Sequence, residues 1–121
     1  MHTYSFEKLD VWQKSREFVK IVYLLTREFP SEEKFGITSQ LRRSAISVSS
    51  NIAEGCTRWS PNDKARFYEI AYSSLMENLN QLILANDLKY LAESDLIKLR
   101  ESIDEVARML NALHKSSKKK S

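Results

Sequence analysis

A chain of 121 residues, 42% of them hydrophobic, is long enough for one buried core and too short for two. Its 19 basic and 16 acidic residues leave a net charge of +3, but Lys115, Lys118, Lys119 and Lys120 all follow His114, so the chain before them is slightly acidic. The single cysteine, Cys56, excludes an internal disulfide or a cysteine-ligated metal cluster, and reads as a packing residue.

The opening MHTYSFEKLDVW lacks the basic and apolar regions of a signal peptide, and no apolar run approaches the ~20 residues of a membrane span. A soluble, cytoplasmic protein without a membrane partner is expected. Two glycines and two prolines fall in two clusters, Pro30 with Gly36 and Gly55 with Pro61, leaving long periodic segments between them.

The first segment predicts a helix over residues 6–29, with Val11, Ser15, Phe18, Val22, Leu25 and Phe29 at steps of three and four, ended by Pro30. A second helix is predicted over 37–55 on Leu41, Ala45, Val48 and Ile52, with Gly55 as its C-terminal glycine. Ser60 and Pro61 give the start signal of a third, over 61–91, whose rows are Tyr68, Tyr72, Leu75, Leu79, Leu82 and then Leu84, Leu88, Leu91. The fourth, over 95–114, carries Leu96, Leu99, Ile103, Val106, Leu110 and Leu113. Residues 115–121, KSSKKKS, have no apolar anchor and are expected to form a disordered basic tail. Amphipathic helices joined by short connections bury their stripes against neighbours, so residues 1–114 predict an all-α fold, an antiparallel up-down-up-down four-helix bundle.

The second helix carries two stripes. Beside its apolar row, Gln40, Arg43, Ser47, Asn51 and Glu54 recur at the same steps, a row of amides and hydroxyls suited to hydrogen bonding in a confined place. Arg43, Asn51 and Glu54 are expected to form a hydrogen-bond ladder between helices or between subunits. Glu54 and Glu77 are a candidate carboxylate pair across helices two and three, read as structural.

Charge is also polarised. Residues 34–68 hold six basic residues against two acidic ones, and residues 69–107 hold three against eight. Arg42, Arg43, Arg58, Lys64 and Arg66, interleaved with Trp59 and Phe67, are expected to surround the connection between helices two and three. That grouping is a candidate nucleic-acid footprint, with cations for phosphate and a ring for base stacking.

The usual parts of an active site are missing from the sequence. It contains no Glu-x-x-His pair for a bundle metal site and no phosphate-cradling glycine loop, so no catalytic, metal or cofactor residue and no small-molecule substrate is expected. Arg108 followed by His114 has the spacing of some helical ribonucleases. Six residues turn a helix about 600°, which leaves the two side chains about 120° apart.

The segments FEKLDVWQKS, FPSEEKFGITSQLRRSAISVSSNIAEGCTR and RFYEIAYSSLMENLNQLILANDLKYL resemble the four-helix-bundle proteins encoded in intervening sequences of bacterial 23S rRNA genes. That family is similar to the accessory variability protein of diversity-generating retroelements. The resemblance runs to about Leu113, and its specific pieces are Gln40, Arg43, Asn51 to Gly55, and Arg58. It implies a ring-like homopentamer, nucleic-acid binding for the retroelement relatives, and no established enzymatic activity. Two departures stand out: Ser49 replaces a proline, and Asn78-Leu79 replaces a Leu-Glu pair on a surface expected to serve a subunit contact.

Together these readings predict a non-enzymatic, self-associating bundle, a homopentameric scaffold with an RNA or DNA partner. The alternatives are a purely structural oligomer, or a helical ribonuclease using Arg108 and His114.

Overall fold

The computed structural model describes residues 1–119. Four helices account for most of them: α1 (Asp10–Thr26), α2 (Ile37–Thr57), α3 (Pro61–Asp87) and α4 (Glu93–Lys119), with short 3-10 turns at Ser5–Lys8 and Ser31–Glu33. There is no β-strand among the described residues, and the fold is an all-α four-helix bundle.

Each helix turns one stripe inward, with Phe18 and Val22 of α1, Leu41 and Ile52 of α2, Leu75 and Leu82 of α3, and Leu99 and Ile103 of α4 all buried. α1 packs on α2 and α4, α3 also packs on α2 and α4, and the diagonal pairs have no close backbone approach. Burying one such side chain stabilises by about 1.5–3 kcal/mol, several times the differences in helix propensity among ordinary residues, so the stripes decide which faces meet.

The helix ends differ from the sequence expectation for local reasons. α1 stops at Thr26 rather than at residue 29 because the amides of Glu28 and Phe29 bond three residues back, to Leu25 at 3.2 Å and Thr26 at 3.1 Å. Pro30 disfavours helical backbone in the residue before it. Phe29 is buried all the same, its ring centroid 5.7 Å from that of Tyr90.

α3 stops at Asp87 rather than at residue 91. Lys89 adopts a left-handed φ of 68°, and the amides of Tyr90 and Leu91 fold back onto the Ala85 carbonyl at 2.9 and 3.3 Å. This satisfies a terminal carbonyl as glycine-ended helices do, with a lysine in the glycine's place.

Gly55 does not end α2, which runs on to Thr57. Its role is close approach: a Cβ there would lie 2.7 Å from Cε1 of Tyr68 and 2.9 Å from Cβ of Phe67. The missing side chain lets α3 lie directly on the backbone of α2.

α4 begins two residues early and continues through the segment expected to be a disordered tail. Residues 115–119 are helical, while 120–121 lie outside the described residues. Ser117 is buried and donates to the Leu113 carbonyl at 2.9 Å, and Ser116 and Ser117 line a groove with Leu9, Cys56, Trp59 and Lys64. Small serines let these last turns lie against the bundle end without a large apolar anchor.

Candidate functional site

Polar side chains fill the joint between α2 and α3. Arg43 donates to Glu77 at 2.6 Å and to Gln40 at 2.8 Å, and Gln81 donates to the same Glu77 oxygen at 3.3 Å. Ser44 donates to Oε1 of Gln81 at 2.8 Å, and Asn78 donates to Oγ of Ser44 at 2.9 Å and to the Leu41 carbonyl at 3.0 Å. One turn on, Ser47 and Ser74 share a hydrogen bond at 2.8 Å, and Asn51 donates to the carbonyl and hydroxyl of Ser47. Partners on α3 fall in number as those on α2 rise, so these two helices run in opposite senses.

The seam brings together Gln40, Arg43, Ser47, Asn51 and Glu77 of the residues singled out in the sequence, but not Glu54. Glu54 is exposed near the end of α2, beside Gly55, which packs against Tyr68. Nine residues of helix, about 13 Å, separate that level from Glu77. The carboxylate pair therefore does not form, and Glu77 is matched to Arg43 instead.

Sequence reading missed Ser44, Ser74, Asn78 and Gln81, which are the buried members. The available signal was that all four interrupt otherwise apolar inward rows. Asn78, expected on a subunit surface, has 0% exposure inside the bundle. Its Oδ1, like Oγ1 of Thr38, is buried with no hydrogen-bond partner among the described residues.

The five cations do not form one patch. Arg42 turns toward α1, its Nε donating to Oγ1 of Thr26 at 2.9 Å and its guanidinium lying 4.6 Å from the Tyr23 ring centroid. Arg43 belongs to the seam. Both sit about 20 Å along α2 from the connection they were expected to surround. Lys64 is at that connection but is half-buried, donating to the Cys56 carbonyl at 2.8 Å, where it clasps the two helices.

Arg58, Trp59 and Arg66 remain at the bundle end, all exposed. Trp59 is 98% exposed on the link between α2 and α3, and the Arg58 guanidinium lies 4.4 Å from the Phe67 ring centroid. The Trp59 ring therefore does not cap the core.

Beside this end, α3 and α4 enclose a cleft of about 320 Å³ lined by Tyr68, Glu69, Tyr72, Ser73, Asn111 and His114, with Leu110 at its base. His114 Nε2 meets Glu69 Oε2 at 2.7 Å. That hydrogen bond, aided by the charges of His114, Lys118 and Arg66, holds the Glu69 carboxyl below its ordinary range. Burial pushes the Tyr68 hydroxyl up to about 12, so it stays neutral, and Cys56 adds to the effect. His114 is thus paired with Glu69, while Arg108 is exposed and does not line its cleft. Among the described residues no three His, Cys, Asp or Glu side chains are grouped to hold a metal, and no helix is long and apolar enough to cross a membrane.

The model of the 23S rRNA-intervening sequence protein family matches residues 7–112. A crystal structure of a protein of unknown function from the S23 ribosomal protein family, from Bacteroides thetaiotaomicron, is similar with a TM-score of 0.79 and 25% identity, over 87% of this chain and 95% of that one. No curated protein matches the chain significantly.

Proposed function

Given that the chain belongs to the family of 23S rRNA-intervening sequence proteins, we propose that it is a non-enzymatic, self-associating helical bundle that binds nucleic acid through Arg58, Trp59 and Arg66. The observation that carries this reading is the 98% exposed indole of Trp59 next to the exposed Arg58 at the end of the bundle that also carries Arg66. A tryptophan left wholly in water forgoes burial worth more than a leucine's, and an aromatic ring beside guanidinium groups is suited to bases and phosphates.

Self-association has separate support. Leu24 and Ile21, one turn apart on α1, are 56% and 39% exposed, and Ile21 and Leu25 line a depression with Leu99, bordered by Asp95, Lys98 and Ser102 of α4. Neighbouring apolar groups on one face mark a surface suited to a second copy. The polar seam is satisfied chiefly within the chain, so the apolar face replaces it as the candidate subunit contact. A ring of five subunits is the stoichiometry proposed, in line with the resemblance.

Native mass spectrometry at micromolar concentration should show five times 14.1 kDa; a monomer would remove assembly from the proposal. Binding of RNA and DNA oligonucleotides should weaken steeply with salt and with Arg58→Ala plus Arg66→Ala. Arg42→Ala, whose guanidinium is engaged against α1, should leave it unchanged. Absence of binding at low salt would end the nucleic-acid reading.

A further inference from the structure

The end of the bundle that carries Trp59 is built from two parts of the chain far apart in sequence. One is the link from Arg58 to Ser60; the other is the last turns of α4, whose Ser116 and Ser117 share a groove with Trp59. Lys118, on those turns, lies close enough to Glu69 for its charge to act there, as does Arg66 of α3. Arg58 thus adjoins the bare indole, while Arg66 and Lys118 lie beside Glu69 on the neighbouring face of the same end.

The link is rigid. It has three residues between Thr57 and Pro61, with extended backbone at Arg58 (φ −71°, ψ 148°) and Ser60 (φ −89°, ψ 143°). Arg58 stacks on Phe67, Ser60 accepts the Asp63 amide at 3.0 Å, and Lys64 holds the Cys56 carbonyl. Every neighbour of Trp59 is tied down while its ring is uncovered. With the backbone around it already ordered, stacking has only the Trp59 side chain left to immobilise.

What stacks must offer a flat π-face, and the bases of a duplex hide theirs within the helix. The acidic groups also matter: Asp63 lines the same depression as Arg58 and Trp59, and Glu69, bonded to His114, is within range of the charges of Arg66 and Lys118. They interrupt the positive surface, which suits one flexible backbone choosing its phosphate positions better than the fixed double row of a duplex.

We propose that this end selects single-stranded nucleic acid, with Trp59 stacking an unpaired base and Arg58, Arg66 and Lys118 taking the flanking phosphates. The proposal rests on the nucleic-acid reading above and adds the form of the ligand. Stacking on one indole predicts an affinity ratio of about tenfold or more between strand and duplex.

The test uses the full chain carrying Trp12→Phe, so that emission reports Trp59 alone, with oligothymidylate of about 15 nucleotides as probe and its duplex with oligoadenylate as comparison. Oligothymidylate should quench Trp59 and bind at least about tenfold tighter than the duplex. Trp59→Ala, which removes no packed side chain, should cost about tenfold for the single strand and little for the duplex. Lys118→Gln should lower the salt slope by about one. Equal affinity for both forms, insensitive to Trp59→Ala yet weakened by Arg58→Ala plus Arg66→Ala, would overturn strand selection and leave nucleic-acid binding standing. If neither form binds at low salt, both readings fall.

Discussion

Replacing Asn78 with leucine should make the protein more stable, although Asn78 makes two hydrogen bonds. Its amide nitrogen serves the Leu41 carbonyl and the Ser44 hydroxyl, while its Oδ1 is buried without a partner. The two bonds contribute about 0.5–1.5 kcal/mol each, and the unmatched oxygen costs about 1–3 kcal/mol. Neither partner is stranded by the change: the Leu41 carbonyl lies within α2, and Ser44 still donates to Leu41 and Gln81. Leucine at a site with 0% exposure adds about 1.5–3 kcal/mol of apolar burial, less about 1–2 kcal/mol for fitting a different shape. The balance is a gain of about 1 kcal/mol, or a midpoint about 3–6 °C higher for a chain of this size. Urea and thermal unfolding followed by circular dichroism measure it directly, with the urea slope unchanged. A loss of 1 kcal/mol or more would refute the reasoning, because it would mean that Oδ1 is satisfied in solution and that the seam is a complete network.

Three further substitutions probe other parts of the fold. Gly55→Ala gains about 0.8–1 kcal/mol of helix propensity but drives a methyl group into Tyr68 and Phe67, at a cost of about 1–3 kcal/mol. Urea unfolding should show a net loss near 1 kcal/mol, and no loss would mean that α3 can step away from α2. Lys89→Gly relieves the left-handed backbone after α3 and should raise stability by about 0.5–1 kcal/mol in the same assay, whereas a decrease would show that the lysine side chain matters there. Glu69, held below its ordinary 4.5 when folded, contributes stability that is present above pH 4.5 and lost as pH falls below it. The side chain is largely exposed, so the effect is small; Glu69→Gln should flatten the acid limb of a pH–stability curve, and superimposable curves would exclude the Glu69–His114 bond as a source of acid sensitivity.

The four helices were legible because leucine, valine and isoleucine repeat at helical steps over segments too long to be read otherwise. Helix ends were less so, and for three separate reasons. Pro30 acts on the residue before it, Lys89 takes a conformation usually signalled by glycine, and the glycine at position 55 serves packing rather than termination. The polar row on α2 announced the seam, yet a row on one helix does not say which residues face it. Ser74 and Gln81 fall at inward steps of α3, but nothing in the sequence says that α2 is the helix that faces them. The cations separate because closeness in sequence is not closeness in space. Arg42 and Arg43 are adjacent, but neighbouring positions on a helix diverge by about 100°, and one turns to α1 while the other turns to α3.

The α2–α3 seam also governs how the sequence can drift. A buried leucine can be exchanged for methionine or isoleucine one step at a time at modest cost. Ser44 cannot, since its loss removes the donor to Gln81 and an acceptor of Asn78 together, leaving the Gln81 Oε1 and one Asn78 N–H buried without a partner. Asn78, by contrast, can be replaced first, and only then does the requirement on Ser44 relax. Descent through this joint therefore has a preferred order of substitution, and two lineages that part here should differ at both helices or at Asn78 alone.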